Sequence, residues 1–368
     1  FNEYYPQRVL WVYTHVHTSY SKYSGMIVNR LGPEDDYRFA LGEEVVSSTG
    51  VRSKIIRPLD FLVVADQAEN LGLAPMISES NPNLLRVPWG KKVHDMVNAG
   101  NGQDAYTEWG KVMTAREDPL DDEKVERSMW ERITSFADEY NRPGSFTAFI
   151  GFEWTASPEG RNLHRNVIFR DDKSYADRVL PYSNYDSYDP EDLWEWMRKY
   201  EEKTGGSLLA VAHNGNLSNG LMFADETVSG KPLSIAYAQN RMRWEPIYEV
   251  TQIKGDGETH PSLSPTDEYG DYGTWDRGSF ASAKEPGMIK TEYAREAYKR
   301  GLKYEQELGA NPFKFGMIGS TDTHTSLATT EENNFFGKAS LAEPAASLMP
   351  GRFEEKITGY LPDPQGRD

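Results

Sequence analysis

The sequence predicts an α/β fold in which strands and helices alternate into a closed or nearly closed barrel. Three observations lead there. First, seven short apolar, β-branched runs recur at Val9–Val16, Leu59–Ala65, Phe146–Phe152, Leu163–Phe169, Ser207–Ala212, Pro246–Ile253 and Lys314–Ser320, each ending in a polar or ionisable residue. Second, most are separated by segments of helical period: Pro33–Val46, Asp121–Tyr140, Pro190–Thr204 and Ile289–Leu308. In the second of these, Val125, Met129, Ile133 and Phe136 recur at spacings of three and four. Third, 368 residues suffice for one large α/β domain. Alternation at this length predicts parallel βα units, whose chemistry sits where the strands end. Segments 81–118 and 256–286, rich in Gly, Pro, Asp and Tyr, read as excursions over one rim of a single domain spanning 1–368.

Composition narrows the function. The chain carries 40 Lys and Arg against 57 Asp and Glu, a formal charge of −17. Such a field repels a phosphate backbone, so nucleic acid is not expected as a partner. The absence of Cys excludes disulfides, thiolate metal sites and thiol nucleophiles, so any metal is held by His, Asp and Glu. No apolar run approaches the roughly 18 residues that span a bilayer, and a soluble protein without a membrane partner is expected. Lack of Cys does not choose between cytoplasm and periplasm. The chain begins at Phe1 rather than Met, as expected where a leader has been removed or trimmed.

The histidines carry most of the functional signal. His15-Val16-His17 closes the first run, and strand alternation puts both imidazoles on one face, where they can share a metal. Asp322-Thr323-His324 repeats the pattern after the last run. Asp66 ends the second run, Glu153 the third and His213 the fifth, and His164 opens the fourth. Imidazole with carboxylate and no sulfur suits Zn, Mn or Fe, and bridging carboxylates such as Glu153 or Asp322 suit more than one ion. His94, beside Lys91 and Lys92, reads as a surface residue. His260, on a glycine-rich loop after the sixth run, is either a solvated turn or part of a lid over the metals. Arg161, Arg165, Asn214 and Asn216 lie in two Asn-rich loops at strand ends. They are candidates for binding anionic oxygens, or else they finish turns and pair with carboxylates.

The segments Thr14-His15-Val16-His17-Thr18-Ser19-Tyr20-Ser21, Arg57 to Asp66, Gly151-Phe152-Glu153-Trp154-Thr155, His213-Asn214-Gly215-Asn216 and Gly319 to His324 together resemble the PHP (polymerase and histidinol phosphatase) superfamily of metal-dependent phosphoesterases. Within it, the wording resembles the domain-of-unknown-function 3604 family, from about Leu10 to Pro344. The resemblance implies a distorted (β/α)7 TIM-like barrel of the PHP type with a two- or three-metal site on its rim. By the same resemblance, His15, His17, Glu153 and Asp322 hold one metal, and Glu153, His164 and His213 a second. A third set would combine an Asp, a His paired with Asp66, and His324. Here Tyr23 stands where that Asp is expected and Gln67 where that His is expected, and Tyr13 replaces a further Asp two residues before the His-x-His. A phenol and a neutral amide are poor substitutes at neutral pH, so two divalent ions are expected, with the third position empty or weakly held.

The expected function is hydrolysis of small anionic phosphate or phosphonate esters by a two-metal-activated water, with His260, His324 and Asp66 as candidate catalytic groups. Two alternatives accompany it. One is an impaired relative that binds metal or ligand without turnover, suggested by Tyr23 and Gln67. The other is an amidohydrolase-like enzyme, which also opens with His-x-His but usually closes with a lone Asp. It often uses a strand-four Lys, absent from the fourth run here.

Overall fold

The structure is a computed structural model that describes residues 8–26, 28–115, 117–276 and 283–344. The assignment of 1–368 as one domain and the 256–286 excursion therefore lie partly outside the described residues. In chain order, β1 (Val12–Val16) leads to the helices α1 (Lys22–Met26) and α2 (Pro33–Ala40), then to the small strands β2 (Val45–Val46) and β3 (Arg52–Ser53). After β4 (Phe61–Val64) come α3 (Leu73–Ser78), α4 (Pro82–Arg86), α5 (Pro88–Asn98), α6 (Gly102–Ala115) and α7 (Glu123–Tyr140). Next are β5 (Thr147–Phe149), β6 (Gly151–Trp154), β7 (Arg165–Phe169), α8 (Lys173–Ala176), α9 (Pro190–Thr204) and β8 (Leu208–His213). The last part holds α10 (Ile235–Trp244), β9 (Ile247–Gln252), β10 (Gly255–Asp256), α11 (Ala294–Leu308) and β11 (Gly316–Gly319).

The strands do not close into the expected (β/α)7 TIM-like barrel. Among the described residues they form a three-stranded sheet in the order β1-β4-β5, a six-stranded sheet in the order β10-β9-β8-β7-β6 with β11 on β9, and the β2-β3 pair. Two local causes act against closure. The predicted strand over 146–152 is split at Ile150 into β5 and β6, which belong to different sheets. In addition, β7 pairs antiparallel with both β6 and β8, and the connection from Trp154 to Arg165 carries no α-helix to make β6 and β7 a parallel crossover. The two larger sheets meet through the isolated bridges Gln67↔Glu153 and Val16↔Thr323. They also share a small apolar cluster of Val63, Ala65, Ile168 and Val211.

In place of an irregular excursion, the described part of 81–118 holds the helices α4, α5 and α6. Its prolines start helices: Pro82 and Pro88 occupy first-turn positions, where the missing N–H would have no intrahelical partner. The Asn81 side chain caps α4 by accepting from Asn83 N at 2.9 Å. α7 begins at an Asp122 cap and buries Val125, Met129, Trp130, Ile133 and Ala137 along one face. Trp130 packs at 6.0 Å from Phe152 and 5.8 Å from Phe169, which ties α7 to the six-stranded sheet. α9 starts at Asp189 and Pro190 and ends at Gly205, whose φ of 73° fits a left-handed helix stop. Two predicted helices shorten: 33–46 yields α2 and then β2, and in 289–308 the α-helix starts at Ala294.

One packing detail yields a test. Glu126, in the first turn of α7, is pushed up to about 7 by burial and by the adjacent Asp118, with which it shares a hydrogen bond. Between the ordinary glutamate range and about 7, the folded chain holds a proton that the unfolded chain has released. Stability therefore falls as pH rises through that window. We expect Glu126→Gln to raise the unfolding midpoint at about pH 8 by about 1–2 °C, since solvent screens this half-buried site, and to leave it nearly unchanged at about pH 5. Thermal melts at the two pH values check this, and an equal shift at both would contradict it.

Candidate metal centre

The backbone brings the ligand-bearing strand ends together before any side chain is considered. His17 N donates to Thr323 O and Asp322 N to His15 O, both at 2.9 Å, so the His-x-His and the Asp-x-His run side by side. Glu153 N donates to Asp66 O at 3.0 Å, which fixes Glu153 at the junction of the two larger sheets. His213 ends β8 and is the ladder partner of Glu249 on β9.

All seven predicted metal ligands converge. Among the described residues four groups have ligand atoms within 4.8 Å of one another: His15/His17/Glu153, His15/His213/Glu249, His17/Asp322/His324 and Glu153/His164/His213. All of these residues are buried. His15 Nε2 and His17 Nε2 lie 3.2 Å apart, and both face Asp322 Oδ1, at 3.5 and 3.2 Å. Three such atoms this close repel one another unless a proton or a cation is shared among them. Glu153 links the halves: Oε1 lies 2.8 Å from His164 Nδ1 and 2.9 Å from His213 Nε2, while Oε2 lies 3.5 Å from His17 Nε2. Glu153 Oε2 and His213 Nδ1 are buried without a hydrogen-bond partner. This donor set of imidazoles and carboxylates fits divalent Zn, Mn or Fe.

Hydrogen bonds around the ligands set their tautomers. Gln67 Oε1 accepts from the backbone N–H of Tyr23 at 3.3 Å and from the Ser21 hydroxyl at 3.0 Å. The Ser21 oxygen then receives His17 Nδ1–H at 3.0 Å, which leaves His17 Nε2 as a lone pair facing the cluster. Gln67 thus acts on His17 through Ser21. On the other side, His15 Nδ1 sits 3.0 and 3.2 Å from the two Glu249 oxygens.

Burial shapes the protonation states. It drives His15 well below the usual imidazole range and His213 down to about 4, so both are neutral at physiological pH. Burial alone would raise Glu153, but His164, His213 and His17 outweigh it and hold the carboxyl well below its usual range. Asp322 is likewise held low against burial by Lys254, Lys338, His15 and His17. Glu249 moves the other way: burial and the nearby Asp322 charge push it well above the carboxylate range. Neutral His15 and His213 beside ionised Glu153 and Asp322 are in the forms that ligate a metal.

Other predicted site residues lie apart from these groups or act indirectly. Asp66, pushed up to about 6 by burial, accepts from Thr18 N at 2.7 Å and Thr18 Oγ1 at 2.6 Å, and so clamps the turn after His17. Arg165 is buried against Glu245 at 3.0 Å, and Arg161 pairs with Glu159 at 2.6 Å. Asn216 donates to the carbonyls of Lys254 and Trp275, both at 3.0 Å, and so ties down the loop after β9. Asn214 stays near the cluster, accepting from Gln252 Nε2, which also donates to Asp322 Oδ2, both at 2.6 Å. His260 is held by Ser262 at 2.7 Å and Asp276 at 3.0 Å, outside the four groups. Tyr23 packs edge-on to Trp109 of α6 at 5.3 Å, and the Tyr13 hydroxyl meets Thr330 at 3.1 Å. His94 bonds Ser80 and Asn98 on the surface side of α5.

Sequence reasoning missed three residues: Glu249, Lys254 and Lys338. A signal existed for Glu249, an acid between Tyr248 and Val250 inside an apolar strand run. Lys254 forms a close ion pair with Asp322 Oδ2, and Lys338 Nζ lies 3.0 Å from Asp322 Oδ1. Neither lysine shows a spacing pattern.

The chain belongs to the family described as "Protein of unknown function (DUF3604)", whose family model matches residues 4–362. No curated protein matches it.

The geometry separates ligands from the residues that orient them. Glu153→Gln should at least halve the divalent metal retained after dialysis, read by elemental analysis, because both halves of the centre use that carboxylate. Ser21→Ala should weaken metal affinity by about 10–100-fold through the freed His17 tautomer. Unchanged metal affinity in Ser21→Ala would remove it from that role.

Proposed function

We propose that this protein is a metal-dependent hydrolase of small phosphate or phosphonate esters, working with two divalent ions. The observation that carries the reading is the sharing of Glu153 between His164 and His213 on one oxygen and His17 on the other. A carboxylate so shared between two ligand groups is suited to bridging a pair of ions. The order His-x-His, Glu, His, His, Asp-x-His also supports membership of the PHP superfamily. In this reading His15, His17, Glu153 and Asp322 hold one ion, and Glu153, His164 and His213 the other. When bound, the ions supply Lewis acidity toward an ester oxygen and a water of lowered pKa.

The chain's own residues do the rest. Asp66 and Ser21 keep the His-x-His turn rigid, so the imidazole lone pairs are aimed before the ligand arrives. His324, neutral because burial, Lys338 and His17 all lower it, would offer an ester oxygen a neutral N–H hydrogen bond and not an acidic proton. A charge of −17 disfavours long polyanions and leaves small anionic esters as the substrate class. Segment 256–276 carries His260 as a proton carrier if the loop shifts on ligand binding.

The test is a panel of phosphate monoesters, diesters and phosphonate monoesters with chelated protein, reloaded in turn with Mn, Zn or Fe. Turnover is expected only after reloading, and His15→Ala should lose metal retention and turnover together. Turnover by the chelated protein, or a reloaded protein inert toward every ester, would overturn the proposal.

A further inference from the structure

Of the four groups able to hold a cation, His17/Asp322/His324 differs from the others in already facing a positive charge of the protein's own. Lys338 Nζ lies 2.7 Å from the Asp322 carbonyl oxygen, 3.0 Å from Asp322 Oδ1 and 2.9 Å from His324 Nδ1. An ammonium has three N–H donors and here meets two Asp322 oxygens and a ring nitrogen. The lysine is not a surface side chain that happens to reach inward. His324 N donates to Lys338 O at 2.7 Å, Thr323 Oγ1 donates to Gly337 O at 3.0 Å, and His324 bridges Ala339 in parallel. The segment is therefore fastened along the Asp-x-His, and Gly337, at φ 82°, makes the turn that delivers it.

We propose that Lys338 is the resident cation of the His17/Asp322/His324 group, so that divalent ions are taken only at the groups centred on Glu153. This rests on the two-metal reading above and deepens it. A positive charge at this position repels a further divalent ion and neutralises part of Asp322. The Lys338 ammonium also lies 2.9 Å from His324 Nδ1, which faces the Asp322 carbonyl oxygen at 3.1 Å, so that ring nitrogen is already engaged by the protein. Lys254 pairs with the opposite Asp322 oxygen.

Metal stoichiometry, read by elemental analysis of full-length protein loaded with Mn²⁺ and dialysed, tests the assignment. Wild type is expected to hold two equivalents, and Lys338→Asp three, because a carboxylate then joins Asp322 and His324. Lys338→Gln covers the case in which the aspartate variant misfolds. Removing the charge beside Asp322 should tighten Mn²⁺ binding by about tenfold in calorimetry, whereas a merely structural lysine would leave affinity unchanged or weaken it. Three equivalents in wild type, two in folded Lys338→Asp, or no tightening in Lys338→Gln would overturn the assignment alone. Wild type that takes up no divalent ion would overturn the two-metal reading, and this assignment with it.

Discussion

Glu153 is a fully buried carboxylate surrounded by His17, His164 and His213, and the surrounding structure is arranged to make that burial tolerable. An isolated ionised carboxylate in a protein interior is strongly unfavourable. Three imidazoles from three separate chain segments compensate it, and each is oriented by a further group: His17 by Ser21, His164 by Ser157, and His213 by its place at the end of β8. The same need for compensation extends to Asp322, which faces two imidazoles and two ammoniums. The cluster is in this sense a charge-balancing device, and its donor atoms are close enough together that they could hold a metal ion.

The fold serves that cluster through its irregularities. Were β5 and β6 one strand, Glu153 would lie within a continuous ladder. The break at Ile150 instead turns it into the seam between two sheets, where it reaches residues from both. The antiparallel hairpin of β6 and β7 brings His164 back beside Glu153 within 11 residues, which a helical crossover would not allow. Tyr23 and Gln67, which depart from the motif expected by resemblance, are each built into this arrangement. Tyr23 packs under α6, and Gln67 holds the serine that sets the His17 tautomer.

How much was legible depends on the range of the interaction. His15, His17, Glu153, His164, His213, Asp322 and His324 were readable because strand ends in a single chain announce themselves through short apolar runs followed by ionisable residues. The helices over 123–140 and 190–204 were readable for the same local reason, since caps and apolar spacing lie within one segment. Asp66, Arg165 and Asn216 also stood at strand ends or beside them. Their side chains turn to Thr18, Glu245 and the loop after β9, a choice made by neighbours far away in sequence.

The sequence by itself determined the ligand chemistry: without Cys, and with imidazoles and acids at strand ends, only a nitrogen and oxygen centre was available. It also determined the family, because the motifs that carry family membership are local strings. Tertiary structure alone decided that the strands part into separate sheets instead of closing, that helices occupy 82–115, and that Glu249, Lys254 and Lys338 join the cluster. Strand pairing and ion pairing join residues that no local pattern links. Lys338 is 16 residues from Asp322, and Glu249 is 234 from His15. Only the folded backbone sets those side chains against the charges they compensate.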